Sequence, residues 1–240
     1  MRELNLSNKI KTDLENFCQG LRKIYGSNLL AVILYGSAAS GEFIENRSDI
    51  NILAVLEDTD LAVLKKAGGL IKRFRNLKAL FLSEDYIRTS VDIFPIEFLD
   101  MQENYLVLLG RDVLEGLPID TLNLRFQCEQ ELKSKLINLR QFYLGAYRDK
   151  GALNNLLYKA VNSILHILRN VLRLRGRKAP YLKTDILSEA ALEFNLNTAS
   201  WYEILHAKSL QRRLSLEECE RLFTALVREL EKIIDIVDKA

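Results

Sequence analysis

Two hydrophobic periodicities predict an α+β protein: a half that mixes strands and helices, followed by an all-α helical bundle. Short apolar runs closed by glycine, the mark of buried strands, stop at Pro118. After it, apolar residues recur at helical spacing, with Gly176 and Pro180 as stops and Ser215 followed by Glu218 as a capping-box pattern. No Gly/Ser-rich or low-complexity stretch separates the two regimes. The expected domains are therefore residues 1–118 and 119–240, packed together with a substrate cleft between them.

Ile10, Leu14, Phe17, Leu21 and Ile24 fall at helical spacing and predict an opening amphipathic helix, stopped by Gly26-Ser27-Asn28. Residues 29–35, Leu-Leu-Ala-Val-Ile-Leu-Tyr, read as a buried strand ending at Gly36. Residues 49–56 read as the second strand, with a polar stretch containing Gly36 and Gly41 before it. A helix over 60–74 is weakened by Gly68-Gly69. Residues 78–82 read as a third strand, and Ser83-Glu84-Asp85 caps a short helical turn. Residues 94–99, Phe-Pro-Ile-Glu-Phe-Leu, predict a further strand, with Pro95 assigning it to an edge or a bulge. Residues 105–109 form a last short strand before Gly110. Helices are then expected over about 122–147, along Leu153, Leu157, Val161, Ile164 and Leu168, over 185–194, around Trp201, and from Ser215 onward.

Composition narrows the function classes. Hydrophobic residues make up 48% and charged residues 28%, as in ordinary globular proteins. A net charge of +2 calls for neither nucleic acid nor an anionic membrane as a partner. Cys18, Cys128 and Cys219 are odd in number and far apart, so no disulfide framework or zinc spacing is expected. The charged N-terminus does not read as a signal peptide, and no apolar run reaches the ~20 residues needed to span a bilayer. A cytoplasmic location is the expectation.

The residues with chemistry gather around the first two strands. Gly36 lets the backbone approach a ligand, and the turn amides with the Ser37 hydroxyl suit phosphate oxygens. Asp49 and Asn51 are two apart, so in a strand they share a face while Ile50 and Ile52 enter the core. Oxygen ligands so placed suit Mg²⁺. Glu97, a lone acid between Ile96 and Phe98, is the candidate third carboxylate, with Asp92 as its competitor. The bland alternatives are a strand-ending turn for Gly36-Ser37, a strand-edge acid for Asp49, a solvent-facing polar residue for Asn51 and a solvent-facing acid for Glu97.

Gly36-Ser37, eleven intervening residues, and Asp49-Ile50-Asn51 ahead of an apolar run resemble the signature of the DNA polymerase β-like nucleotidyltransferase superfamily. The α/β half followed by helices is similar to the aminoglycoside and minimal nucleotidyltransferases. The resemblance implies a mixed β-sheet with helices ahead of a helical bundle. It implies Mg²⁺-dependent transfer of a nucleoside monophosphate from a nucleoside triphosphate to the hydroxyl of a small molecule or protein. Gly36, Ser37 and Ser48 would then bind the nucleotide. Asp49, Asn51 and Glu97 would hold metal, and Asp49 and Glu97 would be catalytic. Asn51 departs from the pattern, because an acid is usual there and an amide brings no charge. The alternative is therefore a catalytically inactive module that keeps the fold to bind a nucleotide or a partner.

Two other groups stand out. Arg173, Arg175, Arg177 and Lys178 read as a solvated helix end, or else as a clamp on an anion. Tyr143 and Tyr147 are expected to pack between the two halves.

Overall fold

The structure is a computed structural model and describes residues 6–41, 43, 49–177 and 179–239. Ser48 and Lys178 lie outside the described residues. The chain divides into two compact units, Met1–Asp120 and Thr121–Ala240.

The first unit is built on a four-stranded mixed sheet of order β3-β2-β1-β4. Strands β1 (Leu29–Tyr35), β2 (Ile50–Leu56), β3 (Leu77–Ser83) and β4 (Tyr105–Gly110) supply it. β1 runs antiparallel to both β2 and β4, and β2 runs parallel to β3. Alternation along the central strands feeds two cores. Val32, Leu34, Ile50, Ile52, Ala54 and Leu56 point to one face, where α1 (Asn8–Tyr25) lays down Ile10, Leu14, Phe17 and Leu21. Phe17 meets Phe74 edge-on at 5.8 Å. Ala31, Ile33, Leu53 and Val55 point to the other face, covered by Ile87 and Val91 at α5 (Glu84–Ser90) and by Phe98 and Met101 of α6 (Pro95–Glu103). Each fully buried Val, Leu, Ile, Phe or Met side chain among them contributes about 1.5–3 kcal/mol relative to exposure, which is why both faces are closed.

Several local expectations need correction. Residues 94–99 are not a strand; they begin α6, with Pro95 at the first helical position. Pro suits that position because its fixed φ is helical and its missing N–H is one that a helix start leaves unbonded anyway. Ile96 and Phe98 mimic a period of two, but the buried set Ile96, Phe98 and Met101 wraps one helical flank. The helix over 60–74 is two short helices, α3 (Leu61–Lys65) and α4 (Gly68–Arg73), interrupted at Lys66-Ala67. β2 starts at Ile50, leaving Asp49 just ahead of the ladder.

The second unit is helical. α7 (Thr121–Gly145), α8 (Lys150–Leu174) and α11 (Leu216–Asp238) form its long elements, with α9 (Lys183–Phe194) and α10 (Ala199–Ser209) between α8 and α11. Asp149 caps α8 by accepting from Ala152 N at 2.9 Å. Ser215 and Glu218 complete the capping box of α11, with Glu218 N to Ser215 Oγ at 3.1 Å and Ser215 N to Glu218 Oε2 at 2.7 Å. Tyr143 stacks on Phe223 at 4.5 Å inside this unit, where α7 and α11 pack together. Among the described residues, no helix is long and apolar enough to cross a membrane.

Candidate functional site

The site begins where β1 ends. After Tyr35 the chain turns at Gly36, with φ 77° and ψ −147°, a conformation L side chains rarely adopt. A four-residue helix follows, α2 (Ser37–Ser40), whose Ala38 and Ala39 are buried. Gly36 N donates to Asn104 O at 3.0 Å, and Gly36 O accepts from Ala39 N and Ser40 N at 3.0 Å each. The turn is thus fixed by backbone bonds on both sides.

Strand register brings one row of side chains to this end of the sheet. Tyr35 pairs with Asn51 on β2 and with Tyr105 on β4, and Asn51 pairs with Lys78 on β3. Lys78, Asn51, Tyr35 and Tyr105 therefore lie side by side on one face, since cross-strand partners share a face. It is the face that α5 and α6 cover. A Cβ built on Gly36 would lie 3.4 Å from Asn51 Nδ2, so the amide abuts the turn. Asp49 is exposed, one residue before β2.

The row carries its own electrostatics. Burial, and then the Asp100 carboxylate, push the Tyr35 phenol above its ordinary pKa. Tyr105 is pushed up to about 12 by burial and by its hydrogen bond to Asp112, 2.7 Å away. Asp100 is thus an acid whose charge reaches the site, and it was not singled out from sequence. Its one advance signal is the three-residue spacing from Glu97, which puts both acids on one side of a helix once α6 is known to be helical.

Glu97 is exposed on α6, not on a strand beside Asp49. Asp92 sits in the turn after α5 and is also exposed. Among the described residues, no group of three or more His, Cys, Asp or Glu side chains is placed to hold a metal. Asp49 offers one anionic oxygen donor and Asn51 a neutral one, so the fit to a divalent cation is partial.

In the second unit, the arginine run has structural partners. Arg177 pairs with Glu193 at 2.9 Å, and the Arg173 guanidinium bonds Asn170. Two cavities stand out in this unit. One, of about 520 Å³, lies between α7 and α8 against Leu139, Phe142 and Leu156. The other, of about 480 Å³, is ringed by basic residues of α8, of the end of α10 and of the α10–α11 loop.

No protein-family model matches the chain, and no curated protein matches it in sequence. Its fold is nevertheless similar to that of a solved adenyltransferase. One such solved structure is spectinomycin adenyltransferase AAD(9) from Enterococcus faecialis, crystallised with ATP and spectinomycin. It superposes with a TM-score of 0.61 at 16% identity, over 92% of this chain and 99% of that one. At such identity the likeness is one of fold.

Proposed function

We propose that the protein binds a nucleoside triphosphate at the Gly36-Ser37 turn and transfers its nucleoside monophosphate to a hydroxyl of a small acceptor, at a rate held down by Asn51. The observation that carries this reading is the positive-φ Gly36 turn abutting Asn51 at the ends of paired strands, within a fold shared along the chain with an adenyltransferase solved with ATP.

In this reading the amides after Gly36 and the Ser37 hydroxyl take phosphate oxygens, and the fixed turn orients the triphosphate. Ser48 would add a further donor. The acceptor oxygen attacks the α-phosphorus, the bond to the β-phosphate oxygen breaks, and pyrophosphate leaves. The acceptor proton passes to a carboxylate of α6, Glu97 or Asp100. Mg²⁺, held by Asp49 with the Asn51 amide oxygen and Glu97, would supply charge neutralisation when bound.

One observation favours a second reading, binding without transfer: the neutral side chain of Asn51 at a position where charge is wanted. The deciding experiment incubates the protein with each α-labelled nucleoside triphosphate, Mg²⁺ and a panel of hydroxylated small molecules. Nucleotide binding by calorimetry with label in the acceptor supports transfer. Binding without label transfer supports the second reading. No binding of any nucleotide overturns both.

A further inference from the structure

Charge of a different kind converges in the helical unit. The cavity of about 480 Å³ lies between the first turns of α8 and the loop joining α10 to α11. Lys150, Lys208, Arg212 and Arg213 line it, and no acid does among the described residues.

The cavity is built on a fixed polar floor. Asn154 is only 6% exposed. Its Nδ2 donates to Lys150 O at 2.8 Å and Leu214 O at 3.1 Å, and its Oδ1 accepts from Leu214 N at 2.9 Å. Tyr158 O–H donates to Arg212 O at 2.8 Å, tying the loop to α8. Glu218 holds the Arg212 guanidinium at 2.8 Å. Lys150, Lys208 and Arg213 have no acidic partner among the described residues.

Scattered surface lysines normally spread apart or pair with acids. Here sequence-distant cations converge on one concave space, whose size lies in the ~300–1,000 Å³ range of small-molecule sites. Like charges held together repel, and a concave wall of one sign raises the local concentration of opposite ions. The crowding extends to Lys183: burial, and then the Lys208 charge, hold its ammonium below the ordinary value.

We propose that this cavity binds a small polyanion, a ligand carrying two or more phosphate or carboxylate groups. The inference does not rest on the nucleotidyltransferase reading. The anionic groups bridge Lys208 in the last turn of α10 and Arg213 on the following loop to Lys150 on α8, with Arg212 preset by Glu218.

The test titrates the full chain by calorimetry with sodium pyrophosphate, and separately with citrate, at low ionic strength. The expected result is saturable one-to-one binding of pyrophosphate, weakened about tenfold or more in Lys208→Gln/Arg213→Gln, as loss of charge-assisted bonds requires. The double variant Lys65→Gln/Lys66→Gln, exposed cations of the first unit, keeps full affinity. Citrate binding at the same site marks a general polyanion site; pyrophosphate alone marks phosphate chemistry. Lys150→Gln gives an independent check if the Lys208/Arg213 double variant fails to fold. Absence of saturable binding, equal weakening by the Lys65/Lys66 pair, or loss of pyrophosphate binding in Gly36→Ala but not in the cavity variants overturns the proposal.

Discussion

Asn51 reaches the turn at Gly36: its Nδ2 lies 3.4 Å from the point where a Cβ on Gly36 would begin. The residue that departs from the pattern therefore also lies against the proposed phosphate-binding turn. On the proposed reading, a charge at position 51 would act on both metal and nucleotide.

Replacing that amide should be felt in binding. Two unit charges ~4 Å apart interact by about 4 kcal/mol at an effective dielectric of 20, and desolvation cancels part of this. A net gain of about 1.4 kcal/mol would tighten Mg²⁺-dependent nucleotide binding roughly tenfold in Asn51→Asp. Asp49→Asn should weaken it. Calorimetric titration over a Mg²⁺ series compares the three proteins; identical affinities would remove Asp49 and Asn51 from any metal site.

Two glycines should respond differently to a methyl group. Gly36→Ala places a side chain at φ 77°, a strain of about 1–3 kcal/mol, and should abolish nucleotide binding while the protein stays folded. At Gly110 the new Cβ would fall 2.0 Å from Leu30 O, a backbone atom with no freedom to yield. Gly110→Ala should therefore cost about 4 kcal/mol or more. Urea denaturation midpoints rank the two, and a milder effect at Gly110 would contradict the β1–β4 register.

The cap of α11 should titrate. Backbone and side-chain hydrogen bonds, from Ser215 first and then Arg212, pull Glu218 down from 4.5 to about 2. A carboxylate depressed on folding stabilises above its unfolded pKa, and that contribution is lost as pH falls through the folded value. The melting-temperature gap between wild type and Glu218→Gln should be widest above pH 4.5 and close as pH approaches about 2. A gap independent of pH across this window would mean that the cap does not depend on the charge.

Asn154 should behave as a structural bolt. Truncation to Ala strands the buried N–H and C=O of Leu214, both now bonded to it. Each unsatisfied group costs about 1–3 kcal/mol, so Asn154→Ala should destabilise the protein by about 2–4 kcal/mol. A loss below about 0.5 kcal/mol by chemical denaturation would show that water or repacking replaces it.

Much of this protein is written locally. The apolar run at β1 ending in Gly36 specifies a strand and a turn without help from distant residues, because one hydrophobic run and one permissive backbone suffice. Ser215 and Glu218 define the start of α11 for the same reason, since both partners of the cap lie within one turn. The Gly36-Ser37 and Asp49-Asn51 pattern, read along the chain, already pointed to the fold that the chain shares with the solved adenyltransferase.

Contacts distant in sequence were decided only in three dimensions. Six residues from Phe94 to Leu99 fit either a strand or a helix, and packing of Phe98 and Met101 beneath the sheet resolved them as α6. That choice carried Glu97 off the expected strand and brought the charge of Asp100 to Tyr35. Lys150 and Lys208 meet at one cavity although 58 positions separate them along the chain. Periodicity reports which face of an element is buried, but not which distant face it meets. Sequence by itself thus determined the elements and the turn, and tertiary packing determined which charges share a space.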